Sequence, residues 1–338
     1  MTSIDISRLR RDFLVSASAA PIYRPNRAPK PPADYPCAIA IGAFDGVHRG
    51  HQELLAATVR DARERGIAAV AVTFDPDPDC VVTDSPAPKL MVPRDRLLAL
   101  ATSGVDAVLV VPFDEGVAAM DHDAFFRRTI LPLLDVRSIH VGTDFRLGRG
   151  GASTVEVIRV WGESAGIDVT GHDLLRAGDA PITSTRIRSL LAQGDIDEAA
   201  SELGRQYFIH GTVVSGRGEG TKLGFPTANI RVPRYIQRPA AGVYAGFALD
   251  GSTAWPAAIN VGIPPTFADK AGAAELEANF LGFSGDLYDE DISILFCRKL
   301  RPQEKFESIP ALVAAVTQNI QDVRDLFGDK QVNLGFDF

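Results

Sequence analysis

Residues 42–51, GAFDGVHRGH, constrain the fold more than any other stretch of the chain. The apolar run at residues 37–41 precedes them. HQELLAATVRDARERG follows from His51, with Leu54, Leu55, Val59 and Ala62 at helical spacing. Strand, tight glycine turn and helix in this order aim unpaired backbone N–H groups and the positive end of a helix dipole at the loop. Phosphate is the natural guest of such a junction. His48 and His51, three residues apart at the first turn, can face one ligand together, donate to phosphate oxygens and stabilise charge that builds up during displacement. A helix-capping pair and a metal site are the alternatives. Zinc would need further ligands, and the other histidines and cysteines are scattered.

The rhythm continues beyond this helix. GIAAVAVTF, ending at Phe74, reads as a buried strand, MVPRDRLLALATSG as a helix with a glycine stop, and VDAVLVVPF as another buried strand. DHDAFFRRTILPLLDV reads as a helix interrupted late by Pro132, and SIHVG as a short strand. Alternating strands and helices predict a parallel sheet covered on both faces, with ligands beyond the carboxyl ends of its strands. That rule gathers the loops at 42–51, 75–79 and 142–151 on one edge. In the third, VGTDFRLGRGG, glycines allow close backbone approach and Arg146 and Arg149 are candidate phosphate partners, unless it is a surface turn with solvated arginines. In PITSTRIRSLLAQG, Ser184 or Thr185 can cap a helix whose first turn holds Arg186 and Arg188, placing N–H groups and guanidinium charge around an anion, unless it is a capped helix with solvated arginines.

Past Gly204 short alternating segments such as YFIHGTVVSG, GVYAGFALDG, AAINVG and ISILFCRKLR, separated by glycine and proline, replace that rhythm and predict an antiparallel barrel or sandwich. Residues 307–328 form an amphipathic helix, apolar at Leu312, Val313, Val316, Ile320, Val323 and Leu326, expected to pack on the barrel. Between the first strands lies GTVVSGRGEGTKLGFPTANI. Its Gly216, Gly218, Gly220 and Gly224 allow a loop to wrap phosphates, and Lys222 supplies charge. It is no Walker A loop, because Leu223 follows Lys222, and no βαβ unit surrounds it.

Composition narrows the partners. At 338 residues the chain has room for two domains, and no apolar run approaches the roughly 20 residues of a membrane span. A net charge of −8 offers no broad basic surface for nucleic acid, so a small anionic ligand fits better. Cys37, Cys80 and Cys297 are too scattered for a disulfide frame or a CxxC site, which suits a cytoplasmic protein with its thiols buried. Residues 1–36, basic at first and then proline-rich, read as a tail and not a signal peptide.

GAFDGVHRGH resembles the HxGH signature of nucleotidyltransferases, in the form found in bacterial bifunctional riboflavin kinase/FAD synthetases. VGTDFRLG matches that family's VGxDFRFG, with Leu147 for phenylalanine, and ITSTRIR its ISSTxIR, with Thr183 for the first serine. GFPTAN at residues 224–229 resembles the riboflavin kinase signature, and so do the glutamate before the DLY turn, Glu277 with Asp286, Leu287 and Tyr288, NVGIPPTF at 260–267 and RPQEKF at 301–306. The resemblance implies an α/β plus all-β chain: an N-terminal Rossmann-like nucleotidyltransferase sheet with helices at 37–204 and an antiparallel riboflavin kinase β-barrel with a terminal helix at 205–338.

It also implies a bifunctional enzyme that phosphorylates riboflavin with ATP to FMN, then adenylylates FMN to FAD with release of pyrophosphate. Glu277 becomes the general base of the first step, and His48 and His51 the charge-stabilising pair of the second. Gly42, Phe44, Asp45, Gly46, Asp144, Arg146, Ser184, Thr185 and Arg188 would bind ATP and FMN in the first domain. In the second, Gly216, Gly218, Lys222, Gly224, Pro226 and Asn260 would bind ATP and flavin, with Thr227 and Asn229 as oxygen ligands of Mg²⁺.

Two departures bear on these roles. Asp77 stands where the family usually has the histidine of TFDPHP, and a carboxylate there repels a triphosphate unless a cation offsets it or the side chain turns away. Asn279 and Gly282 stand where histidine and aspartate are common. Asp77 keeps open a monofunctional riboflavin kinase with an impaired first domain; the other alternative, a non-catalytic flavin or nucleotide sensor, would be expected to lack Glu277 or the Thr227 and Asn229 pair, and the chain has both.

Overall fold

Alternation of small and large residues in CAIAI (37–41) and AVAV (69–72) decides how the first part of the chain is layered. In the computed structural model, which describes residues 4–25, 27, 35–216, 220, 223–262 and 276–335, these stretches are neighbouring strands β2 (Pro36–Ile41) and β3 (Ala68–Asp75). Ala38 lies opposite Ala69, and Ile39 opposite Val70. The large face, with Cys37, Ile39, Ile41, Val70, Val72 and Phe74, joins one core with Phe125, Phe126, Ile158 and Trp161. The small face, Ala38 and Ala69, meets Ala62 of helix α2 (Arg49–Arg65), letting that helix approach the sheet closely. Each fully buried Val or Ile of this core stabilises by roughly 1.5–3 kcal/mol over its exposed state.

The sheet is completed by β1 (Ile22–Tyr23), β4 (Ala107–Pro112), β5 (Asp135–Gly142) and β6 (Asp168–His172). All pairings are parallel, in the order β1-β4-β3-β2-β5-β6. The order reverses between β2 and β5, a topological switch point, and such points hold the ligand crevice of open parallel sheets. Helices α3 (Asp79–Val82), α4 (Pro93–Ala101), α5 (Glu115–Ala118), α6 (His122–Phe125) and α7 (Val155–Ala165) connect the strands. The helix expected from residue 121 is shorter than its apolar pattern suggested. After α6 it widens into a π-helical turn, Phe126–Ile130, with Leu131 N–H bonded to the Phe126 carbonyl, just before Pro132 removes a donor.

A short hairpin, β7 (Arg176–Ala177) with β8 (Ala180–Pro181), leads to α8 (Ser184–Gln193) and α9 (Ile196–Leu203). The chain divides into two compact units, Ser18–Ser184 and Met1–Ala17 with Thr185–Phe338, so the division falls inside the start of α8. The second unit contains β9 (Tyr207–Val214), β10 (Ala228–Arg231), β11 (Gly242–Asp250), β12 (Thr253–Val261), β13 (Leu276–Phe280) and β14 (Asp291–Pro302). These pair antiparallel in the order β11-β14-β9-β10-β13-β12, and β12 pairs back with β11, closing a six-stranded barrel. Closure removes the sheet edges. A short β15 (Val332–Asn333) adds to β12.

Tyr244 and Phe296 meet edge to face as large fully buried side chains. Alternate β11 residues point the other way, where Ala245 packs with Val323 and Phe247 with Phe327 of the terminal helix α10 (Ile309–Phe327). Residues 1–36, expected as a tail, are partly built into the fold. Helix α1 (Ile6–Asp12) buries Leu9, Phe13 packs near Phe208, and the Gln206 N–H donates to Asp12 at 3.0 Å. Further on, Ile22 and Tyr23 extend the parallel sheet. Cys37 is buried as expected of a small hydrophobe, whereas Cys80 is exposed, because the four-residue α3 that carries it buries no side chain.

Val323 is fully buried beneath α10. Val323→Ala is expected to destabilise the barrel unit by about 2 kcal/mol through lost contact and a residual cavity, read as a lower denaturant midpoint with an unchanged slope.

Candidate active sites

In the first unit the 42–51 and 142–151 loops leave neighbouring strands at the switch point. Gly42 still bonds to the sheet through the Val72 carbonyl at 3.1 Å. The chain then turns through a strained loop. Phe44 (φ 56°), Gly46 (φ 80°) and Val47 (φ 41°) all occupy positive φ, which costs most at β-branched Val47 and marks an over-determined conformation. Several bonds hold it. Asp45 is buried, its carboxylate accepts the Leu90 N–H at 2.8 Å, and its carbonyl accepts the Ser184 hydroxyl at 2.8 Å. Phe44 is buried under Gly42, where a Cβ would press on its ring at 3.3 Å.

His48 caps α2, its Nδ1 accepting the His51 N–H at 3.4 Å, which leaves Nε2 to carry the proton of the neutral ring. The two imidazoles stack with centroids 3.6 Å apart, and Phe44 meets His51 edge-on. Burial, and then the neighbouring His48, hold His51 well below the ordinary histidine value, so it is neutral at physiological pH. His51 Nδ1 has no hydrogen-bond partner among the described residues. A stacked imidazole pair with His51 neutral supplies ring donors at a helix start, and the helix N–H groups sit beside it.

The remaining predicted residues of this half are placed as follows. Asp144 folds back over Gly142, where a Cβ would lie 2.8 Å from its carboxylate oxygen, and exposed Arg146 donates to its own Phe145 carbonyl. Ser184, the last residue of the first unit, donates its hydroxyl to the Asp45 carbonyl of the glycine loop. Thr185 and Arg188 fall in the second unit, with the Arg188 guanidinium donating to the Thr185 hydroxyl at 2.9 Å. Arg186 is taken by Glu198 and Glu202 of α9 and is no free anion partner. Asp77 forms an ion pair with Arg96 and lies 3.5 Å from Lys89. Arg96 and Lys89 were missed in the sequence, and Arg96 only showed there as a charge inside the otherwise apolar RLLAL helix.

In the barrel, register does the gathering. Asn229 of β10 lies opposite Glu277 of β13, Glu277 opposite Asn260 of β12, Asn260 opposite Val243 of β11, and Val243 opposite Arg301 of β14. Cross-strand partners share a face, so these residues form one belt, on the face that meets α10. They line a cavity of about 170 Å³ together with Gly220, Thr227, Gln303 and α10 residues. Gln303 donates to Asn260 Oδ1 and to the Val261 and Gly262 carbonyls, and Arg301 donates to the buried Asn319 of α10 at 3.2 Å. Asn319 was also missed. Its signal is a polar residue within the apolar stripe of α10.

Gly224, at φ 87°, turns the chain into β10, and Gly216 lies where a Cβ would collide with the Asn229 amide. The Pro226 carbonyl accepts from Asn279, so the residue that departs from the family pattern ties the GFPTAN segment to the Glu277 strand at 2.7 Å. Gly218 and Lys222 lie outside the described residues, as do residues 263–267. Thr227 and Asn229 bring a hydroxyl and an amide to the cavity that Glu277 also lines, oxygen donors of the hard kind that fits Mg²⁺.

Residues 30–186 match the family model described as FAD synthetase, and residues 203–327 the one described as riboflavin kinase. The chain is 34% identical over 291 residues to the bifunctional riboflavin kinase/FMN adenylyltransferase of Pseudomonas fluorescens, covering 86% of this chain and 93% of that protein. It is 35% identical over 294 residues to the protein of the same description from Escherichia coli K12, at the same coverage. A solved structure described as a macrolide-efflux protein from Streptococcus pneumoniae superposes with a TM-score of 0.78 at 26% identity, covering 90% of this chain and 99% of that one. Fold and sites define an ATP-using transferase that joins a nucleotidyltransferase sheet to a kinase barrel. The chain belongs to the bifunctional riboflavin kinase/FMN adenylyltransferase family.

His51, and likewise His172, which burial and then His140 hold below the ordinary value, resist protonation in the folded state. Below about pH 6.5 the unfolded chain binds more protons than the folded one, so their contribution to stability is present above that pH and lost as it falls. The unfolding midpoint should fall between pH 7 and pH 5, and less steeply in His51→Gln. Parallel profiles would contradict a depressed His51.

Proposed function

We propose that the two reactions of the family are divided between the two halves of this chain, riboflavin phosphorylation at residues 205–338 and FMN adenylylation at residues 37–204. The observation that carries this reading is the barrel belt, which brings Asn229, Glu277 and Asn260 to one cavity with Thr227. In the first reaction the Glu277 carboxylate takes the proton of the ribityl hydroxyl as its oxygen bonds to the γ-phosphorus of ATP, and the bond from that phosphorus to the ADP oxygen breaks. Thr227 and Asn229 would hold Mg²⁺, which supplies charge neutralisation to the phosphates when bound. Gly216, Gly224 and Pro226 serve ATP and flavin at this site.

In the second reaction an FMN phosphate oxygen bonds to the α-phosphorus of ATP and pyrophosphate leaves. That oxygen is already ionised near neutral pH, so the site needs no strong base. Positioning and charge stabilisation carry the step. His48 donates through Nε2, and neutral His51 and the α2 backbone N–H groups line the same helix start. Gly42, Phe44, Asp45 and Gly46 set the loop, and Asp144, Arg146 and Ser184 serve ATP and FMN; Thr185 and Arg188 continue the family motif that Ser184 belongs to. We place the protein in the cytoplasm. Free Cys37, Cys80 and Cys297 support this, and among the described residues no helix is long and apolar enough to cross a membrane.

The purified protein with riboflavin, ATP and Mg²⁺, followed by chromatography, should make FMN that then yields to FAD. FMN that accumulates even when fresh ATP is added would mean a silent first half. Glu277→Gln should lower FMN formation by ~10²–10⁴-fold while FAD formation from supplied FMN persists. His48→Ala should do the reverse, costing FAD formation ~10²-fold or more, and equal loss of both activities in either variant would refute the division.

A further inference from the structure

Asp77 looks at first like a charge in the wrong place, a carboxylate beside a site for a triphosphate. Its surroundings give it a different task. The Arg96 side chain is only 4% exposed and spans two carbonyls, donating to Ala43 at 3.0 Å and to Phe74 at 2.8 Å. Ala43 lies between Gly42 and the positive-φ Phe44, so Arg96 holds the glycine loop to the end of β3, helped by the Thr73 hydroxyl on the same carbonyl. A guanidinium this buried needs a counter-charge, and Asp77, 10% exposed, supplies it as an ion pair. On its other side Asp77 lies 3.5 Å from Lys89, which also grips Asp79 at 2.6 Å. The residue after Lys89, Leu90, gives its N–H to Asp45. The carboxylates of Asp77 and Asp79 are thus each paired with a cation, Arg96 or Lys89, so Asp77 does not stand as an unmatched negative charge for a phosphate to meet.

We propose that Asp77 is a positioning residue for adenylyl transfer, the counter-ion that keeps Arg96 clamped across Ala43 and Phe74 so that residues 42–46 hold their strained shape. This rests on the assignment of the 42–51 loop to ATP. A neutral side chain at 77 removes the ion-pair partner of Arg96, whose guanidinium also feels the carboxylates of Asp45 and Asp75, and lets the guanidinium leave the carbonyls for water. Displacement of a catalytic loop by about 1 Å can cost on the order of 10²-fold.

The test compares Asp77→Asn, Asp77→Glu, Arg96→Met and the Asp77→Asn/Arg96→Met double variant. Formation of FAD from FMN and ATP is measured in each, with FMN formation from riboflavin by the same molecule as the fold control. Asn matches Asp in shape, so Asp77→Asn isolates the charge. It should lower kcat for FAD formation by roughly 10- to 100-fold with FMN formation kept, and Asp77→Glu should recover most of the rate. In the Arg96→Met background the further change to Asn should cost less than about 2-fold, because the charge it served is gone. A faster Asp77→Asn enzyme or a lower KM for ATP would mean that Asp77 repels the triphosphate, and full additivity in the double variant would mean that it acts apart from Arg96. Either result overturns the proposal. Wild-type protein that makes FMN but no FAD would overturn the loop assignment itself, and the role of Asp77 with it. If Asp77→Asn does not fold, Arg96→Lys, which keeps the charge but gives up the two-carbonyl span, should lose FAD formation alone, and an unchanged rate would refute the proposal.

Discussion

Parallel pairing of β2 with β3 on one side and β5 on the other obliges these strands to finish at the same edge of the sheet. Parallel strands need crossovers, the crossovers here are helical, and so each strand ends in a loop that feeds a helix start or a turn at that edge. The glycine loop, the 75–79 segment and the 142–151 loop are neighbours for this reason, although almost a hundred residues separate the first from the last. The Ala face under α2 serves the same end, because a helix seated close to the sheet brings His48, His51 and its N-terminal turn down to the strand ends.

The barrel reaches the same result by another route. Its strands are antiparallel and closed, and side chains gather by register instead of by sharing an edge. A shift of one residue in the pairing of β10 with β13 would send Asn229 and Glu277 to opposite faces. Apolar packing of α10 through Val323 and Phe327 covers the belt face, while Asn319 gives that helix a polar contact with Arg301. Burial and polar chemistry thus share a single helix.

Both architectures were legible along the chain because each has a period that hydrophobicity reports: strand-helix alternation before Gly204, short alternating strands after it. The contiguous motifs were legible too, since GAFDGVHRGH and GFPTAN each carry their chemistry within ten residues. Arg96, Lys89 and Asn319 were not. Each acts on residues from another segment, and a charge or amide beside apolar neighbours looks the same whether it faces water or a buried partner. Arg186 was the opposite case: its position in the first turn of α8 suggested an anion, and α9 brings two glutamates to it instead. The widened turn before Pro132 and the burial of α1 were hidden for the same reason, being settled by packing.

By itself the sequence determined the class of each half, the junction at which phosphate is held and the identity of the chemical groups, because propensity, periodicity and contiguous motifs are local properties. Tertiary structure alone decided which groups meet: that Asn229, Glu277 and Asn260 share a belt, that His51 is buried and neutral, and that the carboxylate of Asp77 is already matched by Arg96 and Lys89. Register, desolvation and ion pairing depend on distance in space, which sequence separation does not encode.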